Sequence, residues 1–290
     1  MLRNSAIGAA LALALAACAT ASDSTSQASA AASAEQTPQE RAEDALKRVI
    51  AGEWRSPENV ERDNYRNPFD TLMFFGVEPQ HTVVEVTPGA GWYSEILAPY
   101  LREDGHYVAA VVDPQALPEG SRDFFFRSRT ALEEKFTASP AQYDRAQVVA
   151  YDPANPQMGP AGSADVVLTF RNVHNWRNYG QAEAMFKAFH DVLKPGGTLG
   201  VVEHRAASDV PVDDKSGYVG QAQLIALAQQ AGFVPEGSSE INANPRDTKD
   251  HPKGVWMLPP ANRHEEADAA KYQAIGESDR MTLRFRKPAA

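Results

Sequence analysis

Cysteine is all but absent, with one residue, Cys18, in a chain of 290. A lone thiol forms no intrachain disulfide and leaves no second thiolate for a metal site. The seven histidines fall at no recurring ligand spacing, so no metal is expected. Basic charge is in deficit: 28 Lys and Arg stand against 38 Asp and Glu, a formal net charge of −10. The densest basic stretch, Arg122, Arg127 and Arg129, is interrupted by Asp123 and by Phe124, Phe125 and Phe126. A nucleic-acid partner is therefore not expected, because phosphate backbones are held by a continuous basic stripe. No Ser or Cys nucleophile elbow is present. No apolar run reaches the roughly 20 residues that a membrane-spanning helix needs.

The first residues do carry a shorter run. Arg3 supplies a positive charge, and residues 6–17 are all Ala, Leu, Ile or Gly. That length suits the apolar core of a signal peptide. The run ends in Leu15-Ala16-Ala17-Cys18, which resembles the lipobox of bacterial lipoproteins. The resemblance implies that Cys18 is lipidated, becomes the first mature residue and anchors the chain to a membrane of the cell envelope, on the periplasmic side. Ala19, rather than Asp, at the next position resembles lipoproteins sent on to the outer membrane. An ordinary cleaved signal or an uncleaved anchor are the alternatives. Residues 19–37 are almost all Ala, Ser, Thr and Gln. Too few large apolar groups are present there to offset the entropy of ordering, so a flexible tether is expected. One domain follows over 38–290, beginning with a helical segment at 38–79.

Apolar periodicity organises that domain. Residues 39–51 place Ala42, Ala45, Leu46, Val49 and Ile50 on one helical face. Ser56 ahead of Pro57 reads as a helix N-cap, and 69–75 as a further short helix. From residue 80 strands and helices alternate. Strands are expected at 82–86, 107–112, 146–151, 164–170 and 198–203, with helices at 92–101, 181–193 and 221–231. Two further strand-like runs, 254–258 and 280–286, are joined by a charged connector and can pair antiparallel at the sheet edge. Repeated strand–helix units imply an α/β fold: a doubly wound, mostly parallel seven-stranded Rossmann-like sheet with an antiparallel closing pair.

The segment Val83-Val84-Glu85-Val86-Thr87-Pro88-Gly89-Ala90-Gly91-Trp92-Tyr93-Ser94 carries the chemistry. A buried strand runs into Gly-x-Gly and then a helix. Glycine admits close backbone approach to a ligand, and a helix N-terminus favours its anionic group. Asp113 ends the second strand, where a nucleoside-binding sheet places a carboxylate for the ribose hydroxyls. Asp152 ends the third strand likewise. Each also suits a plain Asp-Pro turn.

Glu85-x-Thr87-x-Gly89-x-Gly91 resembles motif I of class I S-adenosylmethionine-dependent methyltransferases, with Thr87 where that motif has its first glycine. Leu193-Lys194-Pro195-Gly196-Gly197-Thr198-Leu199 is similar to the segment before the fifth strand of the family. Asp165-Val166-Val167-Leu168, with His174 beyond it, resembles the strand-four motif. The resemblance covers roughly residues 75–290. It extends to bacterial predicted methyltransferases with Glu-Val-x-Pro-Gly-x-Gly-Trp-Tyr loops. It implies that Glu85, Gly89 and Gly91 hold the methionine part of S-adenosyl-L-methionine, that Asp113 accepts the ribose hydroxyls and that Asp152 faces the adenine amine. Dinucleotide binding is the competing reading of the loop. It would want a third glycine where Ser94 stands, and bulky Trp92 and Tyr93 occupy its turn.

The methyl acceptor is expected to meet the polar and aromatic segment after the fourth strand, Arg171-Asn172-Val173-His174-Asn175-Trp176-Arg177. Of these only His174 titrates near neutral pH, which makes it the candidate general base; a purely structural hydrogen bond is its alternative. Glu203 and His204 end the fifth strand, and strand alternation sends adjacent side chains to opposite faces. Arg62-Asp63-x-x-Arg66-Asn67 reads as part of a lid or as a solvated helix face. Methyl transfer to a small-molecule acceptor is the expected activity. A non-catalytic envelope ligand-binding lipoprotein on the same scaffold is the alternative, since S-adenosylmethionine is made in the cytoplasm. Oligomeric state is not legible in the sequence.

Overall fold

The computed structural model describes residues 36–289. The expected lipidation site, Cys18, and the run before it lie outside the described residues, as does nearly all of the expected tether. Among the described residues, four helices precede the first strand: α1 (Pro38–Ile50), α2 (Pro57–Val60), α3 (Asp63–Arg66) and α4 (Pro68–Phe74). Then follow β1 (Thr82–Val86), α5 (Ser94–Tyr100), β2 (His106–Val112), α6 (Glu119–Ala138), α7 (Pro140–Tyr143), β3 (Gln147–Tyr151) and β4 (Ala164–Phe170). The chain continues through α8 (Val173–Asn178), α9 (Ala182–Val192), β5 (Leu193–His204), α10 (Gln221–Gln230), β6 (Val234–Ser239), α11 (Ala269–Ile275) and β7 (Arg280–Arg286). The described residues from Gln39 on form one compact unit. Among the described residues, no helix is long and apolar enough to cross a membrane.

The strands form one sheet in the order β3-β2-β1-β4-β5-β7-β6. The first five are parallel, while β7 pairs antiparallel with both β5 and β6. This is the doubly wound sheet with an antiparallel closing pair that the alternation predicts. Alternate side chains leave a strand on opposite faces, and β1 shows the result. Val84 and Val86 pack toward Phe186 and Phe189 of α9 and Leu224 of α10. Val83 packs on the other face with Leu46 of α1, Leu72 of α4 and Ile96 and Leu97 of α5. Glu85 shares that second face and is buried.

One expectation fails at the edge. Residues 254–258 are not a strand: Gly254–Met257 is a 3-10 turn, with Gly254 at φ +58°. A left-handed residue ends extended pairing. The sixth strand is instead Val-Pro-Glu-Gly-Ser-Ser at Val234–Ser239. It is an edge strand, where Pro235 needs no ladder donor, and its register slips between Pro235 and Gly237. An exposed edge needs no apolar alternation, so the sequence carried none to read. Helix α6 was likewise not expected: Leu132 is its one fully buried side chain, which leaves no apolar stripe. Ser56 does sit at the N-cap of α2, but its side chain makes no capping hydrogen bond.

Gly200 of β5 lies beneath the ring of Phe75. A Cβ there would stand 2.7 Å from both Leu168 Cδ2 and Phe75 Cγ. Gly200→Ala is therefore expected to destabilise the fold by roughly 1–3 kcal/mol, the usual range for overpacking a close-packed core. Urea unfolding followed by circular dichroism measures it. An unchanged midpoint would show that Phe75 yields freely.

Candidate active site

The strand order reverses between β1 and β4. Loops leaving the carboxyl ends of two such strands diverge and open a crevice. A cavity of about 1220 Å3 lies there. Its floor is the turn after β1. Thr87, Gly89 and Gly91 in that turn have φ of 54°, 62° and 86°. A β-branched residue in the left-handed region is strained, and the Thr87 hydroxyl is held 2.6 Å from that of Tyr151. A Cβ on Gly89 would meet nothing within 4 Å, so this backbone lies open to the cavity it lines. Gly91 does different work: its Cβ would stand 2.7 Å from Leu132 Cδ1, and it lets α6 close on the turn.

Glu85 lines the cavity from beneath the first turn of α5. Its Oε2 accepts hydrogen bonds from Tyr107 Oη at 2.6 Å and Ser94 Oγ at 3.1 Å. Burial pushes its carboxyl up to about 7, against the pull of those two hydrogen bonds. Asp113 and Asp152 end β2 and β3 as expected. Their Oδ1 atoms accept from Gln115 N at 3.0 Å and Ala154 N at 2.8 Å, the side-chain-to-backbone bond of an Asx turn. Neither is among the lining residues, although their chain neighbours Val112 and Pro153 are. The structure thus brings Glu85, Gly89 and His174 onto the cavity wall and leaves Gly91, Asp113 and Asp152 off it.

The segment after β4 is the short helix α8 rather than a loop, and Glu203 accounts for it. Glu203 Oε2 accepts from the backbone N–H of Val173 at 2.6 Å and of His174 at 3.3 Å, capping the orphan donors of the first turn. Its Oε1 accepts from His204 N at 2.8 Å and from His174 Nδ1 at 3.0 Å. A carboxylate only accepts, so His174 Nδ1 is the donor, and in the neutral ring Nε2 carries the lone pair. That Nε2 is buried and has no partner. The rings of His204 and Trp256 lie 5.4 and 5.6 Å from the His174 ring.

Strand alternation does not keep Glu203 and His204 apart. One nitrogen or carboxylate oxygen from each of His174, Glu203 and His204 lies within 4.8 Å of the others. The strand ends at His204, so the Glu203 carboxylate can fold back round its end onto its own next N–H. These residues are of metal-ligating type, which the spacing of histidines in sequence did not foretell. Both Glu203 oxygens are already engaged by N–H donors, and His204 Nδ1 lies 2.5 Å from Ser278 Oγ. Burial holds His204 well below the usual histidine range, reinforced by nearby His174, Arg280 and Arg171.

Arg62 and Arg66 are not a solvated helix face. Both line the cavity, and Arg66 is 4% exposed. The Arg66 guanidinium lies over the Trp92 ring, 4.5 Å from its centroid. Trp92 Nε1 donates to Asn59 O at 3.0 Å, and Tyr93 stacks on Phe170 with centroids 3.6 Å apart. Trp92 and Tyr93 thereby join the N-terminal helices to the glycine turn and to β4. Trp256 and Arg263 complete the wall. Sequence reasoning assigned no role to these two, and it left His204 without one. The only available signal was two polar aromatics beside a glycine turn with two arginines one helical turn apart.

No protein-family model matches the chain, and no curated protein matches it. Solved structures do. A structure described as a SAM-dependent methyltransferase from Aquifex aeolicus is 15% identical, with a TM-score of 0.53, covering 84% of this chain and 98% of that one. The [4+2]-cyclase SpnF is 15% identical, with a TM-score of 0.54, covering 88% of this chain and 98% of that one. These likenesses show a Rossmann-like fold of the methyltransferase type. A protein described as a cyclase shares it, so the site rather than the fold must argue the reaction.

Glu85 gives the site a pH signature. Its carboxyl moves from 4.5 to about 7 on folding, so folding takes up a proton between those values. Its contribution is fully present below pH 4.5 and is lost as pH rises through 7. Glu85→Gln removes the titrating group. The stability of this variant relative to the wild type is expected to improve by roughly 2–3 kcal/mol between pH 5 and pH 8. Urea unfolding at the two pH values tests this, and a pH-independent difference would place the Glu85 ionisation at its ordinary value.

Proposed function

We propose that the chain is an S-adenosylmethionine-dependent methyltransferase acting on a small-molecule acceptor, with His174 as general base. The observation that carries this reading is the Glu203–His174 pair at the wall of a cavity floored by an open glycine turn. The residues present fit the cofactor. Gly89 offers bare backbone, Glu85 keeps both of its protein hydrogen bonds on one oxygen, and each of Asp113 and Asp152 uses only Oδ1 in its turn. Glu85 and Gly89 would hold the methionine part, Gly91 would shape the turn beneath it, and Asp113 and Asp152 would reach the ribose and adenine from the ends of β2 and β3. When bound, the cofactor supplies a methyl group on a positively charged sulfur.

The protein supplies alignment, exclusion of water and a place for the acceptor's proton. His174 Nε2 presents a lone pair with no donor, held in one tautomer by Glu203. An acceptor O–H or N–H satisfies that lone pair and gives up its proton to it. The imidazolium so formed lies against the Glu203 carboxylate, which stabilises it. Because Nε2 is buried, the acceptor would enter by displacing side chains beside the ring; Trp256, with its ring 5.6 Å from that of His174, stands on a short turn. Neutral His204 beside His174 adds no opposing charge while its proton is off.

His174→Ala is expected to leave S-adenosylmethionine affinity nearly intact. It should lower turnover on the order of 10²-fold, the usual size of a general-base contribution. Calorimetry with the cofactor and release of S-adenosylhomocysteine, on incubation with envelope and small-metabolite fractions, measure the two. Turnover indifferent to His174→Ala would discard the base and keep the enzyme. Tight binding with no turnover on any fraction would favour a non-catalytic binding protein.

The same proposal places the domain in the cell envelope, anchored through Cys18 at the periplasmic side of the outer membrane. The support is the order of Arg3, the apolar run and Leu15-Ala16-Ala17-Cys18 in the sequence. A fatty-acid analogue fed to growing cells should label the wild type and not Cys18→Ser. Equal labelling of both would remove the anchor.

A further inference from the structure

The arginines of the cavity wall have too few partners. Arg62, Arg66 and Arg171 all line the cavity, and Arg280 lies behind them, 2% exposed. Glu277 is the carboxylate they share. Arg280 Nη2 donates to Glu277 Oε2, Arg62 Nε donates to Oε1 at 2.6 Å, and Arg66 Nε stands 3.8 Å from Oε2. Burial alone would raise the Glu277 carboxyl, yet Arg280, Arg62 and Arg66 overcome it and hold it down at about 2. Glu203 is the second carboxylate acting on Arg171. Four guanidiniums therefore gather round Glu277, whose two oxygens are already engaged by Arg280 and Arg62.

The donors show the same deficit. Arg66 Nε and Arg62 Nη2 are buried without a hydrogen-bond partner. Among the described residues, no hydrogen bond or ion pair holds the Arg171 guanidinium. Arg171 itself sits at φ +63°, a strained conformation for a long side chain, at the end of β4 where the wall passes from the glycine turn to His174. Arg171 is half-buried; desolvation, reinforced by the like charges of Arg280 and Arg62, pushes it down to about 10, and burial followed by Arg171 pushes the buried Arg66 well below its usual value. A guanidinium stays charged in proteins, so an uncompensated buried group of this kind calls for an incoming anion. The plane of Arg66 is fixed in advance by Trp92, and planar donors of fixed orientation suit carboxylate and phosphate oxygens.

We propose that Arg62, Arg66 and Arg171 form an oxyanion subsite in the acceptor part of this cavity, and that the methyl acceptor carries a carboxylate or phosphate group. The inference rests on the methyl-transfer reading above. The carboxylate of the cofactor is the other source of the same chemistry. The two sources are separated by whether the anion and the cofactor bind together or compete. With the anion held by the arginines, the acceptor's nucleophilic end is left for His174 Nε2.

Titration of the full chain by calorimetry with inorganic phosphate and with succinate, each with and without saturating S-adenosylmethionine, tests the subsite. At least one anion is expected to bind, with its affinity kept within about two-fold when the cofactor is present. Arg66→Gln and Arg171→Gln should each weaken it at least ten-fold, whereas Arg102→Gln, at an exposed pair with Asp144, should not change it. Thermal melts establish that the variants fold. If Arg66→Gln does not, Arg171→Gln carries the test, because among the described residues no hydrogen bond or ion pair holds its guanidinium. Competition between the anion and the cofactor would give the arginines to the cofactor's carboxylate and overturn the assignment. Failure of both anions to bind, or equal binding by all variants, would overturn the subsite outright. If the cofactor itself does not bind, the methyl-transfer reading falls, while the anion titrations in its absence still decide whether these arginines hold an anion.

Discussion

The Glu203 carboxylate at the end of β5 is the group on which the chemistry of the cavity depends. It accepts from two backbone N–H groups of α8, from the N–H of His204 and from His174 Nδ1. One buried anion thus starts a helix, ends a strand and sets a tautomer. Its own charge is offset by hydrogen bonds, and among the described residues it makes no contact ion pair with an arginine. Removing a buried hydrogen-bonded charge leaves its partners unpaired, so the position of α8 and the orientation of His174 stand or fall together.

The two walls of the cavity differ in origin. One is the glycine turn and α8, both generated at the point where the sheet changes direction. The other comes from the helices before β1, brought in by Trp92 and Tyr93. Trp92 donates to Asn59 and underlies Arg66, while Tyr93 stacks on Phe170 at the end of β4. The bulky pair that argues against a dinucleotide loop is thereby explained: these rings lie between the turn and the N-terminal helices and form part of the wall.

Buried charge is distributed unevenly between the walls. Glu85, pushed up toward neutrality by burial, sits beneath the glycine turn, where a positively charged group would draw its proton off. The arginines sit where an anion would relieve them. A cavity that holds a reluctant acid at one place and surplus guanidinium at another offers positions of opposite sign, the pair that the proposed cofactor and acceptor would require. The likeness to solved structures supplies the sheet; this pairing of charges belongs to the chain's own residues.

Much of the fold could be read directly. The first four strands, β7 and the helices α1, α4, α5, α9 and α10 were legible within a residue or two, because each buries a face whose period is written locally; β5 was legible over 198–203 but begins five residues earlier, at Leu193. The glycine turn was legible because left-handed backbone at Gly89 and Gly91 needs that residue type. Asp113 and Asp152 were legible as strand ends, and their Asx bonds follow from the same local chemistry. What lacked a buried face was missed: the edge strand at Val234–Ser239 and the largely exposed helix α6. The pairing of β7 with β5 and β6, the meeting of His174 with Glu203 and His204, and the gathering of Arg62, Arg66, Arg171 and Arg280 round Glu277 were decided only by tertiary structure. The physical reason is one of range. Backbone preference and burial periodicity act over a few residues, so the sequence states them outright. Which carboxylate meets which base depends on where separate chain ends arrive in the folded sheet, and a side chain at the last position of a strand escapes the alternation that governs those before it.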